Sequence, residues 1–176
     1  KMILCDYFRS EPDLTWRLDP CCGVTNGVIR LPEDDEFDLT SPPALKSVCE
    51  RFRASGIEPL IVEPLPNSLH DHIKSGDGMR DESIEKFIKL LGNLREVGIT
   101  TVCFNFMAHY GWTRTSKELP ERGGSLVTGF RLDDFDDDGF VLTAKKLREN
   151  FDYFMRAALP EAEKAGVRLA LHPDDP

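Results

Sequence analysis

One unit recurs along the chain: the tail of an amphipathic helix, a glycine, a β-branched residue and then a short apolar run. It appears as Cys22-Gly23-Val24 before Gly27-Val28-Ile29-Arg30 and as Ser55-Gly56-Ile57 before Leu60-Ile61-Val62-Glu63. It returns as Val97-Gly98-Ile99 before Val102-Cys103-Phe104-Asn105-Phe106, and as Ala165-Gly166-Val167 before Leu169-Ala170-Leu171-His172. Glycine just past a helix end takes positive φ without a Cβ clash. Nearly continuous apolar runs are how strands read when both faces of a parallel sheet are covered. With an opening strand near Met2–Phe8, the pattern predicts strands near 2–8, 26–30, 58–63, 99–106 and 167–172, alternating with helices.

The helices fit the same scheme. Leu45, Val48, Cys49 and Phe52 fall at i, i+3, i+4 and i+7 behind a Ser41 cap and Pro42, whose missing N–H costs nothing in a first turn. Ile84, Phe87, Ile88, Leu91 and Leu94 form a second stripe. Leu147, Phe151, Phe154, Met155, Ala158 and Ala162 form a third, which Pro160 is expected to kink or end early. Alternating strands and helices imply right-handed crossovers and a parallel sheet, either doubly wound or closed into a barrel. No GxGxxG follows any strand and no phosphate-binding loop is present, so the dinucleotide-binding option lacks support. The expected fold class is α/β, a parallel (β/α)8 TIM barrel. Such barrels typically need about 250 residues. Residues 1–176 are therefore read as the N-terminal part of a single barrel domain, about its first five βα units. Residues 107–143 read as a long, irregular and mobile insertion between the fourth strand and the helix that follows it, on the face where barrel active sites are built.

The balance of 22 basic against 31 acidic residues gives a net charge of −9. Without a basic stripe to reverse it, that charge argues against nucleic acid and anionic membranes as partners. Five cysteines, an odd set lacking CxxC spacing, point to reduced thiols and a cytoplasmic location. Met2-Ile3-Leu4 is too short for a signal peptide or a membrane span.

If the barrel reading holds, polar residues at the C-terminal strand ends face the active site. These are Arg9, Arg30, Glu63, Asn105 with His109, and His172 with Asp174 and Asp175. Arginines, an acid, an amide and imidazoles suit a small anionic substrate held near a divalent metal. His172 ends an apolar strand and, as a neutral imidazole, could ligate Mn²⁺, Fe²⁺ or Zn²⁺. Arg114, beside Trp112, could stack on the indole and still offer a planar fork to a carboxylate. His109 and His70 are the nearby groups suited to proton transfer. The His70-Asp71-His72 segment lies between Pro66 and Gly76 and reads as a solvated loop. Asp134, Asp136, Asp138 and Gly139 match the start of an EF-hand loop, but Lys145 stands where the bidentate glutamate belongs, so the acidic run reads as a solvated surface loop.

Cys103-Phe104-Asn105-Phe106-Met107, Trp112-Thr113-Arg114-Thr115 and the ending His172-Pro173-Asp174-Asp175-Pro176 resemble the mannonate dehydratases. Leu147-Arg148-Glu149-Asn150-Phe151 and the run from Pro160 to Arg168 do so as well. The resemblance implies a xylose-isomerase-like barrel that dehydrates D-mannonate to 2-keto-3-deoxy-D-gluconate with Mn²⁺ or Fe²⁺, in hexuronate catabolism. It makes His172 a metal ligand, the other ligands being a Cys, a His and an Asp from later strands. On this reading Arg30, Glu63, Asn105, Trp112, Arg114 and Asp174 contact the sugar acid, His109 and Arg114 take part in catalysis, and a homodimer is an allowed assembly. Two departures stand at the active-site end. Arg30 replaces a usual histidine, and Ala108-His109-Tyr110-Gly111 replaces a Pro-led apolar stretch. A sugar isomerase or epimerase on the same barrel, or a non-catalytic sugar-acid binder, are the alternatives.

Overall fold

A computed structural model describes residues 2–173. Strands β1 (Cys5–Phe8), β2 (Asn26–Ile29), β3 (Glu58–Val62), β4 (Thr101–Asn105) and β7 (Arg168–His172) form one sheet in the order β1-β2-β3-β4-β7. Every neighbouring pair in it is parallel. The strands are shorter than their apolar runs. Pairing of β1 begins at Cys5 against Asn26, which leaves Met2, Ile3 and Leu4 exposed. Asp174, Asp175 and Pro176 lie outside the described residues.

The helices are α1 (Leu14–Cys21), α2 (Pro42–Ala54), α3 (Asn67–Ser75), α4 (Arg80–Val97) and α5 (Ala144–Ala165). Capping follows the side-chain chemistry. Ser41 Oγ accepts from Ala44 N–H at the start of α2, and Thr143 accepts from Lys146 N–H at the start of α5. Gly98 and Gly166 end α4 and α5 in the left-handed conformation, as the repeated unit requires.

Along each strand, alternate side chains turn toward the helices and away from them. Phe8, Ile29, Val62, Val102 and Phe104 point to the helix layer and are buried. Phe52 of α2 lies edge-on to Phe8 and stacks on Trp16 of α1, with ring centroids 4.0 Å apart. Phe154 of α5 joins the other half of the core, packing against Phe87, Phe104 and Phe106 at 5.1, 5.7 and 6.2 Å.

Three sequence expectations are corrected here. Pro160 does not end the third helix, because α5 continues to Ala165. Burial of Ala158 and Ala162 on either side of the proline offsets the one missing hydrogen bond. Residues 107–143 are not wholly irregular. They carry an antiparallel hairpin, β5 (Ser116–Pro120) with β6 (Leu126–Gly129), and short 3₁₀ turns at Arg122–Gly124 and Leu132–Asp134. Finally, His70-Asp71-His72 lies in helix α3 rather than in a loop. Pro66 and Gly76 bound a helix: proline stands at its N-cap, glycine at its left-handed C-cap, and Leu69 and Ile73 bury one face between them.

Phe154→Ala should remove the ring shared by α4, α5 and β4 and leave a cavity. The expected loss is about 3–5 kcal/mol, read from denaturant unfolding of the full-length protein.

Candidate active site

The faces of the sheet can be assigned from one contact. Arg168 donates to Thr101 Oγ1 at 3.1 and 3.3 Å, so these two register partners share a face. Four residues further along both strands, Asn105 and His172 are again partners and lie on the same side by the period of two. That side is opposite to Val102 and Phe104, hence away from the helices. The same alternation beside buried Ile29 and Val62 puts Arg30 and Glu63 there, and Arg9 follows Phe8 in the same way. Five strand ends thus direct Arg9, Arg30, Glu63, Asn105 and His172 to one face, at the C-terminal end of a parallel sheet.

Their surroundings differ. Arg30 makes an ion pair with Glu33 at 2.8 Å and lies beside Tyr7. Glu63 adjoins the Cys103 thiol, which burial and then this carboxylate push up to about 11. Asn105 is buried. Its Oδ1 accepts from Met107 N–H at 3.2 Å and its Nδ2 donates to Asn67 Oδ1 at 3.4 Å. Trp112 stands edge-on to the His172 ring, 5.4 Å between centroids. Arg114 Nη1 donates to the Thr113 carbonyl at 2.9 Å.

His172 Nδ1 lies 2.6 Å from the Pro173 carbonyl. A carbonyl only accepts, so Nδ1 carries a hydrogen, and in the neutral ring Nε2 is the nitrogen with the lone pair. A metal-ligating imidazole has the same arrangement, its other nitrogen donating to a carbonyl or carboxylate. His172 therefore fits a metal as one ligand. Among the described residues, no group of three or more His, Cys, Asp or Glu side chains is placed to hold an ion.

A cavity of about 400 Å³ opens beside the end of β4. Asn67 and Lys74 of α3, Asn105, His109, Gly111 and Phe140 line it, whereas Arg30 and Arg114 do not. Lys74 is a residue the sequence reading missed. Its side chain is only 2% exposed, and Nζ donates to Asn67 Oδ1 at 3.1 Å and to Asp71 Oδ1 at 3.2 Å. Helical spacing carries the signal, since Lys74 lies four residues after His70 on the face that buries Leu69 and Ile73.

The two histidines suited to proton transfer separate. His70 is buried and its Nδ1 lies 2.9 Å from the Pro66 carbonyl, while Nε2 has no hydrogen-bond partner among the described residues. Burial, then the Lys74 charge, lower its pKa to about 3 against weaker pulls from the Pro66 and Asn105 backbone. It is a fixed neutral group. His109, in contrast, lines the cavity. Its Nε2 lies 2.6 Å from Asp138 Oδ2, and its ring stacks on Phe140 at 4.1 Å. Hydrogen bonds from Tyr110 and then His109 lower Asp138 to about 2. An ionised carboxylate only accepts, so Nε2 carries a hydrogen and Nδ1 is the ring nitrogen turned away from the carboxylate. The acidic run is exposed, as expected, but Asp137 and Asp138 are anchored, both within 2.6 Å of the Tyr110 hydroxyl.

The profile of the D-mannonate dehydratase (UxuA) family matches residues 18–142 and 140–176. A mannonate dehydratase of Streptococcus equi subsp. zooepidemicus is 31% identical over 182 residues, covering 88% of this chain and 49% of that protein. One from Lactococcus lactis subsp. cremoris is 29% identical over 88% of this chain and 51% of its own length. The chain spans about half the length of these relatives. The crystal structure of mannonate dehydratase from Streptococcus suis superposes with a TM-score of 0.87 at 26% identity, over 100% of this chain and 54% of that one.

Neutral His70 makes stability depend on pH. The folded imidazole resists protonation down to about pH 3, whereas the unfolded one takes a proton near 6.5. Between those values the unfolded state binds more protons, so stability falls as pH drops through the window. The slope attributable to His70 approaches about 1.4 kcal/mol per pH unit. Urea midpoints between pH 6.5 and 4 should flatten in His70→Gln relative to wild type.

Proposed function

The chain belongs to the D-mannonate dehydratase family, and we propose that the protein containing it is a metal-dependent hydro-lyase that converts D-mannonate to 2-keto-3-deoxy-D-gluconate on a closed (β/α)8 barrel. The observation that carries this reading is the convergence of five polar strand ends on one face, with His172 among them and its Nε2 lone pair available. His172 would hold the divalent ion, Mn²⁺ or Fe²⁺, together with ligands from the rest of the protein. The bound ion supplies Lewis-acid stabilisation of the charge that grows on the substrate carboxylate and its α-carbon.

The residues of this chain bind, orient and move protons. The Arg114 guanidinium presents a planar fork to the sugar-acid carboxylate, and Trp112 walls the site beside His172. Arg30, Glu63, Asn105 and Asp174 contact the polyol. Dehydration removes a proton from the carbon α to the carboxylate and expels the β-hydroxyl as water. His109 serves proton transfer at Nδ1, because Asp138 holds Nε2–H. The monoanionic polyol with its single carboxylate needs only a few local cations, which an otherwise acidic protein can supply.

In the full-length protein, His172→Ala should lower metal content and mannonate dehydration together. His109→Gln should keep the metal and lower kcat by roughly 10²-fold. Arg114→Lys should keep the metal and raise KM, since an ammonium cannot reproduce the fork. Metal analysis and a 2-keto-acid assay measure all three, and normal metal and activity in His172→Ala would end this reading.

A further inference from the structure

Asn67 begins α3 and is exposed, yet its carboxamide is held from behind. Lys74 Nζ donates to its Oδ1 at 3.1 Å, and Asn105 Nδ2 donates to the same oxygen at 3.4 Å. Both donors are themselves buried and fixed. Lys74 is 1% exposed and also bonded to Asp71, and Asn105 is 1% exposed and accepts from the Met107 backbone. Two donors on one oxygen settle which way the amide is turned. A flipped amide would aim N–H groups at an ammonium and at another N–H, a doubly repulsive arrangement. The Asn67 NH₂ group therefore faces away from Lys74 and Asn105. Among the described residues no protein group accepts from it, and Asn67 lines the 400 Å³ cavity at the end of β4.

We propose that Asn67 is a specificity-determining residue whose amide NH₂ group donates a hydrogen bond to an oxygen of the sugar acid, a hydroxyl or carboxylate lone pair, with Lys74 and Asn105 as its positioning residues. The ligand class follows from what the site presents. An amide NH₂ offers donors only, and the buried Lys74 charge behind it polarises the amide so that those donors favour electron-rich oxygen. An apolar ligand would gain nothing there, and a donor-only group such as an ammonium would find no acceptor on the amide nitrogen. The proposal rests on the sugar-acid reading above. It adds a residue from α3, the first helix after β3, outside the strand ends.

The test is steady-state kinetics on D-mannonate with full-length Asn67→Ala and Asn67→Asp, with circular dichroism and thermal midpoints as folding controls. Asn67→Ala should raise KM roughly 3- to 10-fold and leave kcat within about twofold, as for loss of one neutral hydrogen bond. Asn67→Asp separates binding from mere support. The carboxylate keeps the oxygen that Lys74 and Asn105 need, but it has no N–H to give and repels an anion. A KM at least as high as that of Asn67→Ala supports the assignment. Wild-type KM in either variant overturns it, and in Asn67→Asp it would show that the residue only steadies Lys74. Calorimetric titration of wild type with D-mannonate and D-gluconate tells this failure from that of the reaction. Binding without turnover defeats the dehydratase reading alone, and the variants are then compared by Kd on the same criteria. Binding of neither aldonate overturns the Asn67 assignment as well.

Discussion

Parallel pairing with a side-chain period of two is the constraint from which the rest follows. The helix layer takes Phe8, Ile29, Val62, Val102 and Phe104 from the four strands β1 to β4. Burying a large apolar side chain contributes about 1.5–3 kcal/mol. A slip of one residue in any strand would exchange those groups for the polar ones beside them and place Arg30, Glu63 or His172 under helices. The core therefore holds the polar face in register from the opposite side of the sheet. Because the strands are parallel, their C-terminal ends also fall at one end of the sheet. Packing energy spent on one side thus assembles chemistry on the other.

Helix α3 resolves a conflict between burial and charge in two ways. Lys74 keeps its charge inside because Asn67 and Asp71 accept from it. An unpaired buried ammonium would cost several kcal/mol. His70, four residues earlier, gives up its charge instead and binds the Pro66 carbonyl at the start of its own helix. Asn150 of α5 donates to the Lys74 carbonyl at 2.8 Å, and a Cβ at Gly76 would run into that asparagine. The helix end is thereby clamped close against α5. The wall of the cavity is stiff where polar groups meet inside it.

The opposite wall is fastened by weaker means. The hairpin β5–β6 is mostly exposed, and the link from residues 137–140 back to His109 and Tyr110 runs through hydrogen bonds in contact with water. Such exposed ionic contacts contribute little, because water screens them. Stacking of His109 on Phe140 and of Tyr110 against Phe135 adds an apolar fastening. Under it lies a second cavity of about 520 Å³ lined largely by aromatic and aliphatic side chains, including Phe106, Phe130 and Leu147. That side is less tightly packed than the sheet and helices it covers.

By itself the sequence determined the parallel α/β class, the order of the repeating units, the glycine helix stops and which strand-end residues share a face. These are local or periodic properties. A left-handed glycine, an N-cap serine and alternation along a strand act within a few residues, so they are legible without coordinates. The WTRT and HPDDP segments carried the family in the same direct way. Other features needed the tertiary structure. Pro160 inside α5 and the helical state of residues 67–75 were decided by burial against neighbours distant in sequence, which outweighs local preference. The pairing of Asp138 with His109 joins residues 29 apart, and that of Asn105 with Asn67 joins residues 38 apart. No periodicity encodes such contacts. Only the packed chain turns an acidic run into an anchor and a lysine at helical spacing into the buried support of an amide, because a buried charge acquires meaning from the partners that folding brings to it.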